Sequence, residues 1–570
     1  MKMKRSGILA LALLLTLLLT AALSGCGEKS GDTRLAYHSY GSDIKEFDTS
    51  LFYGNVETMQ GADPSLIWVP EAVDADGNVD EDSGYYYAYV TATSTINAWR
   101  TRDMTHWQYL GAVFRPDLDT FWAYRNFWAP AVHYDGTSGT YYMYYSATAR
   151  ADTEYTTHYI SLATSTSPAG PFKEWGSTSE PLIDFSKMPK DHPLYEQHGA
   201  GTAWKDGYFS AIDAEPFVDV NGDIYLLFTH DKGAGYSSSS TYIMKMNDWW
   251  DPDYSSVTCI SLTGACEVGG DEVMDEGTVN EGPFMFYHDG LYYLTFSVHT
   301  YEESSYQVRQ AVGTSPMGPF HKISQEKGGT IITTDGLNAY TNSAGHHSFI
   351  RVGDELYISY HTFKNDKSIS QARKIRFDKV SFVTNQDGIP VIYANGPTVT
   401  LQPLPTAISG YENKAGKAQV RATNLRDGSS PYWLCDGTLK IHETPNIVDE
   451  TYFNQGKSTV TLSWEDYVSA KAIMVYNSNL FDTSFVAIDN IRIWGRQGDE
   501  EIVYDTGRIA FSYDQYSLVP KHYNCIFAGA SCTVEFEDME IRQIEITVSE
   551  SKGGQYFAIS EITVLGRKEG

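Results

Sequence analysis

A short motif returns five times along this chain, each time at the head of a strand-like run and followed by a turn and a Tyr-rich second run. The five openings are Ala62-Asp63-Pro64-Ser65, Trp128-Ala129-Pro130-Ala131, Ile212-Asp213-Ala214-Glu215-Pro216-Phe217, Glu281-Gly282-Pro283-Phe284 and Gly345-His346-His347-Ser348. Between them lie runs such as Tyr85–Val90, Tyr141–Tyr145 and Ile224–Phe228, broken by Asp-Gly, Asn-Gly and Gly-Asp turns, with no long helical periodicity. Five similar four-stranded units predict a five-bladed β-propeller whose innermost strands all face one central channel. A row of β-sandwiches would give polar motifs no reason to recur at equivalent strand starts.

The texture changes after Gln402-Pro403-Leu404-Pro405. The pieces that follow, Leu434-Cys435-Asp436-Gly437, Thr459–Leu462, Ile473–Ser478 and Ile559–Gly566, resemble a galactose-binding-like, discoidin-type jelly roll. The expected fold is therefore all-β, a propeller over 55–410 followed by a β-sandwich over 416–567. The 570 residues are long enough for several sizeable cores. A formal charge of −30 repels phosphate backbones, so nucleic acid is excluded as a partner. The 41 Tyr and 12 Trp suit β-strands and suit the stacking of sugar rings.

Residues 1–25 read as an export leader: Lys2, Lys4 and Arg5, then an apolar run from Ile8 to Leu23. The run ends in Leu23-Ser24-Gly25-Cys26, which resembles the lipobox of bacterial lipoproteins. That resemblance implies acylation of Cys26, a polar tether over 26–54, and anchoring of an exported domain at the outer face of a membrane by lipid alone. A signal-anchor helix is the competing reading. Cys259/Cys266 and Cys525/Cys532 bracket short loops, as local disulfides often do, which leaves Cys435 over. No Cys-x-x-Cys or Cys/His cluster suggests structural zinc.

Asp63, Asp213 and Glu281 all sit in strand-opening motifs. If those strands line one channel, three acids share one mouth and their pKa values must separate, leaving one protonated and another ionised at the same pH. That separation is what acid–base hydrolysis needs. Taken singly, Asp63-Pro64 is a turn, Asp213 a loop cap with Glu215 as its rival, and Glu281 a surface residue at a strand end. Their recurrence is what argues for chemistry.

Over residues 55–400 the ordered motifs Ala62-Asp63-Pro64, Phe127-Trp128-Ala129-Pro130, Ile212-Asp213 with Phe217-Val218-Asp219, Glu281-Gly282-Pro283 and Gly345-His346-His347-Ser348 resemble glycoside hydrolase family 43. The resemblance implies an inverting glycosidase acting on α-L-arabinofuranosyl or β-D-xylosyl linkages of plant cell-wall polysaccharides or oligosaccharides. It makes Asp63 the general base, Glu281 the general acid, and Asp213 the residue that tunes and orients Glu281. Inversion places the two working carboxyls about 6.5–9.5 Å apart, leaving room for a water. Ala214-Glu215 departs from the Pro-Ser frequent in the family, which makes Glu215 a local perturber.

The same resemblance implies that Arg373 holds a sugar hydroxyl or Glu281, an exposed salt bridge being the alternative. Trp128 either stacks on a sugar or packs in the core. No cofactor is required; His346 either supports a hydrated calcium ion or is a hydrogen-bonded structural residue, and His347 points to the other strand face. Two rival functions remain. One is a retaining fructan hydrolase, which would need Asn-Asp-Pro-Asn, Arg-Asp-Pro and Glu-Cys motifs that do not occur at these positions. The other is a non-catalytic sugar-binding lipoprotein, disfavoured by the persistence of all three acids.

Overall fold

The computed structural model describes residues 36–38 and 48–569, except 56–58, 74–75, 151–156, 195–209, 232–237, 335–340, 365–371, 442–446, 481, 512–527 and 552. The leader with Cys26, and Cys525, lie outside the described residues. Among those described, no helix is long and apolar enough to cross a membrane.

Five antiparallel sheets follow one another along the chain. Blade I is Ser65–Val69, Tyr85–Val90, Ile96–Thr101 and Gln108–Phe114. Blade II is Ala123–Asp135, Thr140–Ala149, His158–Ser165 and Lys173–Glu174. Blade III opens with Ala211–Val218, Ile224–His230 and Ser240–Asp248; blade IV opens with Asn280–His288, Leu291–Val298 and Gln307–Gly313. Blade V is Thr341–Val352, Glu355–Lys364, Lys374–Thr384 and Pro390–Ala394. The turns are those the sequence signals: Asp289-Gly290 joins His288 to its partner Leu291 as a two-residue hairpin.

The second strand of each blade is buried on both faces, which is why these segments read as nearly unbroken apolar runs. Successive residues serve opposite neighbours. Tyr144 packs toward Leu226 and Met244 of blade III, while Tyr145 packs toward Tyr89 and Ala98 of blade I. Leu227 and Ile243 meet Leu294 of blade IV, and Tyr293 meets Ile358 and Ile392 of blade V. Between blades V and I, Tyr357 and Phe377 pack on Leu66 and Tyr86. Apolar cores thus alternate with blades around the ring, the five-bladed propeller that the repeat predicts.

The ring is fastened by the segment ahead of blade I. Asn55 accepts from Phe377 N at 2.8 Å and donates to Phe377 O at 2.7 Å, Ile375 N donates to Met59 O, and Gly61 N donates to Arg373 O. Of the stretch expected to be a tether, residues 36–38 and 52–54 are also built into the fold. Phe52–Gly54 pairs with Leu401–Pro403, and Ala36–His38 pairs with Ser531–Val548, because the C-terminal domain offers strand edges and an apolar bed for Leu51 and Phe52.

Nine described strands of the C-terminal region, joined by Ala36–His38, surround one apolar core that includes Phe453, Ile473, Ile491, Ile544 and Ile562, the β-sandwich expected after the propeller. It packs directly on blade V: Tyr393 donates to Leu439 O at 2.7 Å and Asn395 to Gly437 O at 2.9 Å.

The local disulfide expected between Cys259 and Cys266 is not formed; both are free thiols. Strand pairing sets Cys259 opposite Tyr242 within blade III, while the Cys266 sulfur lies 3.4 Å from the carbonyl of Lys322 in blade IV. Packing holds the two side chains against different blades, and sequence proximity does not overcome it. Cys532 is also a free thiol, buried in the sandwich, and Cys435 is free and half-buried.

Candidate active site

Besides Asn126 and Ser343, positive φ marks one residue in each of the five repeated openings: Asp63 (51°), just ahead of the first strand of blade I, and Ala129 (43°), Asp213 (56°), Gly282 (56°) and His346 (47°) on the first strands of blades II to V. Ladder register slips around the last four of them, so each innermost strand bulges as it reaches the channel. Left-handed backbone is costly for a residue bearing a side chain, and four of the five positions bear one. Strain repeated around one axis marks the place where the fold presents side chains. All five residues line the same channel, together with Pro64, Ser65, Pro130, Glu215 and Pro283. Glu281 sits one residue ahead of this set, so Asp63 and Asp213 are equivalent in the repeat and Glu281 is offset from them.

Asp63 is buried and fully engaged. Its Oδ2 accepts from Thr91 Oγ1 at 2.5 Å, and its Oδ1 lies 3.0 Å from Arg373 Nη1. His346 Nδ1 and His361 Nδ1 each lie 3.3 Å from the same oxygen. Burial by itself would raise this carboxyl. Arg373, then His346 and His361, outweigh burial and hold it well below the usual carboxylate range. The permanent charge is the guanidinium, because burial pushes His361 down to about 3 and lowers His346 as well.

The other two acids are pushed the opposite way. Burial raises Glu281 to about 7, helped by Asp63 and Asp231 and opposed by Tyr306 and Arg373. Burial, Glu281 and Asp63 raise Asp213 well above its ordinary value. Asp213 Oδ2 accepts the N–H of Gly282 at 3.0 Å, so it holds the backbone immediately after Glu281. Gly282 has no room for a side chain, since a Cβ there would lie 3.2 Å from the His346 ring in addition to needing positive φ. Around this channel one carboxyl is therefore held ionised, a second is raised by burial to about 7, and a third holds the backbone beside the second.

A scan of the sequence against protein-family models matches "Glycosyl hydrolases family 43" over residues 71–390, more than half of the chain. The chain belongs to glycosyl hydrolases family 43. The match includes Asp213, Glu281, His346 and Arg373 and begins just beyond Asp63. This family-43 chain is 27% identical over 233 residues to a β-D-galactofuranosidase of Aspergillus niger, covering 41% of the chain and 54% of that protein. It is 24% identical over 323 residues to an extracellular exo-α-(1→5)-L-arabinofuranosidase of Streptomyces avermitilis, covering 53% of the chain and 58% of that protein. The chain thus spans a little over half the length of these curated relatives. Among solved structures, a thermostable family-43 glycoside hydrolase aligns with TM-score 0.47 and 25% identity, over 62% of this chain and 99% of that one.

The remaining expected site residues fall as follows in this family-43 channel. Arg373 reaches Asp63, not Glu281, and lies over the Tyr301 ring at 4.8 Å. Trp128 is half-buried and stacks on the buried His158 at 4.5 Å, and His158 Nδ1 lies 3.7 Å from Asp231 Oδ2. Glu215 lines the channel, and burial alone raises it to about 8. His347 is 2.6 Å from Thr295 Oγ1 and also lines this channel. His346 already faces Asp63, and among the described residues no group of three His, Cys, Asp or Glu could hold a metal ion. An ion at His346 would therefore be held mainly by water, as the hydrated calcium site expected there would be.

Thr91, Asp231, Tyr306 and His361 belong to the site and carry no local signal. Tyr306 is one tyrosine among 41, and His361 lies mid-strand in a Tyr-rich run.

Proposed function

We propose that this chain is an inverting O-glycosyl hydrolase acting on α-L-arabinofuranosyl or β-D-xylosyl linkages of plant cell-wall polysaccharides or their oligomers. The observation that carries the reading is the opposed environment of two carboxyls in one channel: Asp63 beside a guanidinium, and Glu281 buried among acids. Asp63 is the base that takes a proton from water as the water attacks the anomeric carbon. Glu281 is the acid that protonates the departing glycosidic oxygen. Asp213 accepts the Gly282 N–H and so holds the backbone beside Glu281, whose charge in turn helps to raise Asp213. The exo-α-(1→5)-L-arabinofuranosidase among the relatives supports the pentose assignment.

Residues 416–567 are proposed as a discoidin-type, galactose-binding-like domain bracing the 55–410 catalytic propeller. Cys26 is proposed as the acylated anchor of an exported protein at the outer face of a membrane, with polysaccharide or oligosaccharide as its partner.

The test separates acid from base by leaving group. Sugar alkoxides leave badly, so Glu281→Gln should cost about 10²–10⁴-fold on an arabino- or xylo-oligosaccharide. It should cost far less on a 4-nitrophenyl glycoside, whose phenolate needs no proton. Asp63→Asn should depress both substrates alike. Equal losses of both variants on both substrates would refute the assigned roles, and release of neither pentose by the parent would refute the reaction.

A further inference from the structure

Tyr306 immediately precedes the third strand of blade IV, and its side chain is fully buried. Its hydroxyl donates to Glu281 Oε1 at 2.7 Å. Its ring stacks on the His361 imidazole with centroids 5.8 Å apart and planes 19° apart. His361 in turn lies 3.3 Å from Asp63 Oδ1 and 3.4 Å from Arg373 Nη1. One ring therefore touches Glu281 directly and the setting of Asp63 through one intermediary.

The space for that ring comes from blade V. A Cβ at Gly345 would overlap the Tyr306 ring edge, with Cε1 and Cδ1 as its nearest atoms. Gly345 opens the fifth repeat motif, and the hydrolytic roles proposed above give it no task.

We propose that Tyr306 is the positioning residue of the acid Glu281, and that Gly345 is glycine so that the Tyr306 ring can reach it. The inference rests on the reading of Glu281 as the general acid. A phenol that donates to Oε1 leaves Oε2 to carry the transferable proton, so the hydrogen bond selects which oxygen faces the leaving group. Burial and the neighbouring Glu281 raise Tyr306 well above its ordinary value, so it stays a neutral donor throughout the working range. Facing Glu281 are Asp63 from blade I, Asp213 and Asp231 from blade III and Arg373 from blade V, with the His346 ring packed on Gly282. Only Tyr306 and Arg373 favour the ionised form.

Tyr306→Phe keeps the ring and removes the donor, so the Glu281 acid should titrate higher. The alkaline limb of kcat/KM on an oligosaccharide should move up by about one pH unit. At the optimum, kcat should fall about tenfold for lost orientation, with a much smaller loss on a 4-nitrophenyl glycoside. Gly345→Ala should give the same pair of changes by displacing the ring. If Gly345→Ala does not fold, Tyr306→Phe, checked by an unchanged melting temperature, decides alone. An unmoved alkaline limb in Tyr306→Phe, or equal losses on both substrates, overturns the positioning role while Glu281→Gln still behaves as an acid variant. If Glu281→Gln retains oligosaccharide activity, the acid assignment falls and this inference falls with it.

Discussion

Replacing Arg373 by glutamine removes the one permanent positive charge on Asp63 and should move the acidic limb of the pH profile upward. The guanidinium nitrogen lies 3.0 Å from Asp63 Oδ1, on a side chain that is 21% exposed. At an effective dielectric of about 20, two unit charges at that separation attract by roughly 5 kcal/mol. Water entering the channel and the amide that replaces the guanidinium recover part of this. Carboxylates beside a guanidinium are typically lowered by about 1–3 pKa units, or about 1.4–4 kcal/mol, and this is the shift at stake. Asp63 works ionised, so activity appears as pH rises through its pKa. With Arg373 gone, burial is opposed only by the weaker influence of His346 and His361, and the acidic limb should rise by about 1–3 pH units. Arg373 also lowers Glu281, so the alkaline limb should rise too, by less, because the guanidinium contacts Asp63 directly. Arg373→Lys keeps the charge without the planar fork and should fall between parent and Arg373→Gln. The assay is kcat/KM against pH on a 4-nitrophenyl glycoside and on an oligosaccharide. An acidic limb that stays in place while KM rises would show that Arg373 binds sugar and that Asp63 is not the base.

Two further outcomes follow from other residues. Burial holds Glu215 near 8, so between about 4.5 and 8 the folded protein keeps a proton that the unfolded chain has lost, and stability falls as pH rises through that window. Glu215→Gln should therefore stabilise the protein at pH 8 by ~2 kcal/mol, allowing for screening by channel water, and much less at pH 5; equal melting-temperature changes at both pH values would contradict this. Cys26→Ala should abolish fatty-acid labelling and membrane retention, and labelling as strong as the parent's would remove Cys26 as the anchor.

The residues alone determined the architecture, because the physical signals for it are local. Strands buried on both faces must read as Tyr- and Leu-rich runs, hairpins need residues such as Asp289-Gly290, and five blades around one axis must repeat their inner strand. The same repetition exposed Asp63, Asp213 and Glu281 as candidates, since polar residues recurring at strand starts need a common destination. Apart from the family resemblance, nothing in the residues themselves tells which acid is held ionised. That depends on Arg373, which lies 310 residues from Asp63 in the chain and reaches it only because the segment before blade I fastens onto blade V. Sequence could not reveal Tyr306, just ahead of a strand of blade IV, or His361, within a strand of blade V, until the ring closes and sets blade V between blades IV and I. Nor could it separate a disulfide from two free thiols at Cys259 and Cys266, where blade packing turns near neighbours toward different partners. A side chain's charge state and reach are set by what surrounds it, and in a closed ring most of those surroundings come from distant parts of the chain.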